Sequence, residues 1–182
     1  SSREPSAAPA ALRKVSEEVA AYNAVVKEPL YMGARPAAAA PVVDGDLGDA
    51  SWAAARIHSF VDIQGNPLTN GASARFATDS AHSTLFIALS APDRELIAKS
   101  EARDTAQYDD DCFEIFLGDA SSDLYYHVVV NPAGSIYDAR QGDKQWHGDM
   151  TVKTAADAQK GLWIAELAIP LAQFGFGGPI PG

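Results

Sequence analysis

From Val42 onward the chain is punctuated too often to hold anything but short strands. Runs rich in branched and aromatic residues recur at 56–63, 73–78, 84–90, 112–117, 124–130, 149–154 and 162–169. Between them lie turn-forming clusters such as "QGNPLTNG", "NPAG" and "QKG". Gly, Pro, Asn and Asp end regular structure for separate physical reasons, through positive φ, a missing N–H donor and side-chain capping of the local backbone. Many short strands with no helical segment between them predict an all-β fold, an antiparallel β-sandwich of jelly-roll or immunoglobulin-like type. In "TLFIAL", Leu85, Ile87 and Leu89 share one face, and Phe86 with Ala88 the other. Apolar residues on both faces place this strand deep in the sandwich.

The helical period occurs only before that point. In "ALRKVSEEVAAYNAVVKEPL", Leu12, Val15, Val19, Tyr22 and Val26 fall at spacings of three and four, which predicts an amphipathic helix that Pro29 ends. A Ser, Ala and Pro-rich lead-in precedes it, and "RPAAAAP" reads as a linker. The domain reading is therefore 1–40 for lead-in, helix and linker, and 41–182 for the sandwich.

Charge and motif content narrow the function classes. A formal net charge of −10 over 182 residues, with no basic cluster, makes nucleic acid and anionic membrane surfaces poor partners. No apolar run is long enough to cross a membrane as a helix. Cys112 is alone, so there is no internal disulfide and no CxxC zinc pair. G-x-S-x-G, P-loop, G-x-G-x-x-G and H-E-x-x-H signatures are absent, and His58, His82, His127 and His147 lack metal-ligand spacing. The expectation is a domain without catalysis of its own.

Acidic residues carry the remaining signal. "VVDGDLGDASW" puts Asp44, Asp46 and Asp49 in one turn, and "YDDDCFEIFLG" puts Asp110 and Asp111 before a strand. Calcium takes about 6 to 8 oxygen ligands, which such carboxylates supply in part, while turn capping explains them equally well. Strand alternation then separates Phe113, Ile115 and Leu117, which read as core, from Cys112, Glu114 and Phe116 on the opposite face. Glu114 would lose solvation there unless a donor met it.

Several segments in order resemble family 9 carbohydrate-binding modules: "PVVDGDLGDASW", "LFIALSAPD", "DDDCFEIFL", "VVVNPAGSIYD" and "GLWIAELAIPLAQFG". The resemblance spans Pro41 to Gly175 and implies a non-catalytic sugar-binding sandwich, often with structural calcium, appended to a secreted, surface or periplasmic glycan-processing protein. It implies a site at Tyr108, where the family usually carries a stacking tryptophan, with Glu114 receiving sugar hydroxyls and His127 in a basic hydrogen-bonding position. His127 could equally pair with Glu114 or be satisfied by the backbone. Trp146, in the polar stretch "DKQWHGD", is a candidate second stacking surface. Family members carry further strands after the segment matching "AELAIP", so the sandwich reads as incomplete at its C-terminus. That leaves a structural or assembly domain as the alternative, pairing with protein through the helix or an exposed edge strand.

Overall fold

The computed structural model describes residues 34–62, 65–118, 123–157 and 159–175. The amphipathic helix expected near residues 12–28 lies outside them. Among the described residues nine strands form two sheets. The larger runs in the order β1 (Arg35–Pro36), β3 (Ser73–Thr78), β4 (Thr84–Pro92), β9 (Leu162–Pro170) and β8 (Thr151–Asp157), with β2 (His58–Ser59) also on β3. The smaller is β5 (Phe113–Gly118), β6 (Tyr125–Val130) and β7 (Ile136–Arg140). All pairings are antiparallel except that of β1 with β3.

Alternation along these strands builds the core. Ile87 and Leu89 of β4 with Trp163, Ala165, Leu167 and Ile169 of β9 meet Phe113 of β5 and Tyr126, Val128 and Val130 of β6. Phe113 stacks on Trp163 at 4.4 Å between ring centroids and on Phe60 at 6.3 Å. Full burial of such side chains contributes about 1.5 to 3 kcal/mol each, so this layer is the main source of stability. The predicted sandwich is present, with two differences of detail. The 56–63 window shrinks to two strand residues, and β7 was missed because Asp138 interrupts its apolar pattern.

The second apolar face of β4 has a covering of its own. Residues 37–55, including the short helix α1 (Ala50–Ala54), lie over the outer face of the larger sheet, where Trp52 packs with Ala77, Phe86, Ala88 and Ala168. Alanines on that face let the segment approach closely.

Candidate functional site

Covering the large sheet leaves one carboxylate to be satisfied. Glu166 of β9 is fully buried, at 0% exposure, beneath Trp52 at 1%. Its Oε1 accepts the Trp52 indole N–H at 2.6 Å, and its Oε2 accepts backbone N–H groups of Gly45 at 2.6 Å and Asp44 at 3.1 Å. Burial raises its pKa above the usual carboxylate value, and these three donors hold it down against that rise. Gly45 must be glycine: its φ is +92°, and a Cβ there would meet the Ala155 Cβ at 3.0 Å. Trp52 therefore serves the fold, closing over Glu166 on the outer face of the large sheet.

The outer face of the small sheet is built differently. Glu114 and Phe116 of β5, Tyr125 and His127 of β6, and Tyr137 of β7 project from it, opposite the core set. Val129, Tyr137, Ala139 and Cys112 form its buried floor. Glu114 Oε2 lies 2.9 Å from His127 Nε2, and the imidazole stacks on Phe116 at 4.2 Å with an interplanar angle of 8°. Tyr108, in the one-turn 3₁₀ segment Gln107–Asp109, meets Tyr137 edge-on at 6.4 Å. Lys144 Nζ stands 5.1 Å from the centre of the Tyr137 ring. Phe116, Tyr108 and Tyr125 remain 61%, 54% and 41% exposed. Burial, then the negative charges of Glu114, Asp111 and Asp110, raises the Cys112 thiol, so it stays protonated and poorly nucleophilic.

Tyr108, Glu114 and His127 are thus brought to one surface. Trp146 is not: it packs on Tyr126 at 4.7 Å and on Phe174 at 5.9 Å, against the core side of the small sheet. The buried ring of Tyr126 fills the space that a loop tryptophan was expected to lack. Phe116, Tyr125 and Tyr137 were not singled out from sequence. Alternation with Glu114 and His127 was the available signal for the first two, but strand aromatics read first as core.

The acidic residues divide into two groups. Asp44 and Asp46 each accept the N–H two residues on, from Asp46 at 2.9 Å and Gly48 at 3.0 Å, and Asp49 accepts from Val42 at 2.7 Å. A carboxylate offers about four acceptor positions, so each of these bonds leaves capacity for a cation. Asp110 is used more fully. Its oxygens accept backbone N–H groups of Lys99 at 2.9 Å and Ser100 at 2.8 Å and the Asn131 side-chain amide at 2.8 Å. The Lys99 bond leads, and together these donors lower its pKa to about 2 against the opposing effect of burial. Asp111 accepts from Ile97 at 2.6 Å, so both residues tie the 97–100 loop to the start of β5.

Among the described residues the carboxylates and imidazoles that converge closely enough to share one ion are those of Asp104, Asp138 and His147. Arg103 already occupies that cluster, its guanidinium 2.7 Å from the buried Asp138 carboxylate, which also accepts the Gly148 N–H. The protein's own Arg103 thus answers the buried carboxylate of that cluster.

Among the described residues the chain is thus a β-sandwich with a covered large sheet and a small sheet whose outer face presents aromatic rings, a carboxylate and an imidazole. The family model described as "Carbohydrate family 9 binding domain-like" matches residues 43–178, and the chain belongs to that family. Two solved structures share the fold. One is a family 9 carbohydrate-binding module from Caldicellulosiruptor kristjanssonii in complex with glucose, 18% identical, covering 79% of this chain and 71% of its own, with a TM-score of 0.54. The other, from Bacteroides uniformis and assigned to carbohydrate binding, is 17% identical over 79% of this chain and 75% of its own, with a TM-score of 0.55. None of the proteins with curated descriptions matches the chain.

Proposed function

We propose that this chain is a non-catalytic carbohydrate-binding module that holds a secreted, surface or periplasmic parent protein on glycan. The observation that carries this reading is the group of exposed Tyr108 and Glu114 with half-buried His127, on the sheet face that the described residues leave uncovered, in a chain of this family. A sugar hydroxyl both donates and accepts. It would donate to Glu114 and accept from the His127 ring N–H, replacing their direct bond, while the apolar C–H face of the ring rests on an aromatic side chain. Polar groups are thereby matched on binding and none is left desolvated without a partner.

A glycan array with the full-length protein, followed by calorimetry on its hits, tests the proposal. Binding that Tyr108→Ala and Glu114→Ala each weaken about tenfold, a change of ~1.4 kcal/mol, supports it. Silence across plant, algal and host glycans removes it. Calcium belongs to the proposal as a ligand of the Asp44, Asp46 and Asp49 turn: EDTA should lower the melting temperature, and an unchanged value excludes that role.

One observation favours a second reading, assembly with another protein. Strand β5 ends the three-stranded sheet beside a cavity of about 510 Å³ lined by Phe60, Phe76, Leu85, Ile115 and Leu117 among others. An edge strand next to apolar surface is where a further strand adds. Concentration-dependent association in sedimentation, with no glycan bound, would establish this reading over the first.

A further inference from the structure

Sugar binding through Tyr108, Glu114 and His127 leaves part of the open face unused. Phe116, directly opposite His127, and Tyr125, two residues further along β6, are both substantially exposed. They are not isolated rings. Tyr108 touches Tyr137 at 6.4 Å, Tyr137 touches His127 at 5.5 Å, His127 stacks on Phe116 at 4.2 Å, and Phe116 meets Tyr125 at 6.2 Å. These five rings form one unbroken row of contacts across all three strands. The strand register gives its length, because Tyr137 pairs with Val129 and Tyr125 lies four residues along β6 from there. At a rise of about 3.3 Å per residue that is about 13 Å, longer than a single sugar ring.

Scattered exposed hydrophobics need no explanation, but Phe116 and Tyr125 are exposed rings in mutual contact beside polar groups, the pattern of a binding surface. Here Glu114, His127 and Lys144 lie along the row, so hydrogen-bonding groups accompany the aromatic surface. The same molecule covers the apolar outer face of its other sheet with Trp52 and residues 37–55. Among the described residues the row keeps Tyr108 at one end and Phe116 with Tyr125 at the other uncovered, while Tyr137 between them is buried and His127 is half-buried.

We infer that Phe116 and Tyr125 form a second stacking subsite, so that the module grips consecutive sugar units of a glycan chain and not one terminal sugar. This rests on the sugar-binding reading above and adds the ligand class to it. The row advances four residues along β6 while crossing from β7 to β5, a length that suits a linear chain laid over the sheet. A flat, open surface of this kind also lets the chain continue past both ends of the site.

Calorimetry with glucose, cellotetraose and maltotetraose reads the inference as a ratio of affinities; if the array selects another sugar, its monomer and tetramer take their place. The wild-type protein should bind one tetramer about tenfold more tightly than the monomer, and Phe116→Ala and Tyr125→Ala should each bring that ratio toward one. Tyr125 contacts the row through Phe116, so its variant tests the subsite without disturbing the His127 stack. Equal affinity for monomer and tetramer, or a ratio that both variants leave intact, overturns the inference and leaves the sugar reading standing. Silence of every probe and of the array overturns that reading and this inference with it. Sedimentation as a dimer that Phe116→Ala dissolves would make the row an interface between copies, which also overturns it.

Discussion

The two sheets each turn one face away from the common core, and the two faces have opposite fates. On the larger sheet Phe86, Ala88 and Glu166 are covered by Trp52 and the segment before it, so an apolar surface and a carboxylate are both removed from water. On the smaller sheet Phe116, Tyr125 and Glu114 occupy equivalent alternating positions and stay open. Each face places a strand glutamate among aromatic and small apolar residues. Glu166 is held by three N–H donors from distant sequence and serves the fold. Glu114 is held by one imidazole that a ligand can replace. Chain cover, not residue type, decides which carboxylate is structural.

Breaking that comparison starts with the two glutamates. Glu166→Ala leaves the Trp52, Gly45 and Asp44 N–H groups without their acceptor and opens a void, and should cost about 3 to 5 kcal/mol in urea unfolding. Glu114→Ala should stay within about 0.5 kcal/mol of wild type, as substitutions at exposed positions do. Comparable losses in the two variants would show that the faces do not differ in this way. Gly45→Ala comes next. It forces a Cβ into positive-φ backbone and against Ala155, for an expected loss of about 1 to 3 kcal/mol without any change at the open face.

Much of this architecture was readable from residue order. Period-2 alternation separated Phe113 and Ile115 from Glu114, and the double apolar faces of β4 announced a strand covered on both sides. What alternation cannot report is which distant segment lies over a face. Glu166 gave no signal because Gly45 and Trp52, its partners, are more than a hundred residues away, and only the docked 37–55 segment unites them. Trp146 was misleading for the same reason, since its polar neighbours in sequence are not its neighbours in space. Asp110 and Asp111 were read as cation ligands or turn caps, and the backbone groups they accept from lie 10 to 14 residues away, beyond the reach of a local reading.

The smallest effect sharpens the contrast through pH. Asp110, lowered from 3.8 to about 2, contributes stability that is present above its unfolded value and is lost as pH falls through its folded one. Glu166 has the opposite sign. Its raised value favours the protonated folded state below the unfolded pKa of about 4.5, and that contribution is lost as pH rises through the folded value. Melting temperatures taken from pH 2 to 7 should therefore lose acid sensitivity at the low end in Asp110→Asn. A wild-type acid limb in that variant would remove Asp110 from the account.

The central claim, that the uncovered face of the small sheet is the ligand surface, is tested most directly by amide chemical-shift mapping of this 19.2 kDa chain during titration with the strongest glycan from the array. Shifts should cluster at residues 108, 114, 116, 125, 127 and 137, with the amides of residues 44, 45 and 52 unmoved. Shifts centred on the Trp52 cover, with the β5 and β6 amides silent, would contradict it.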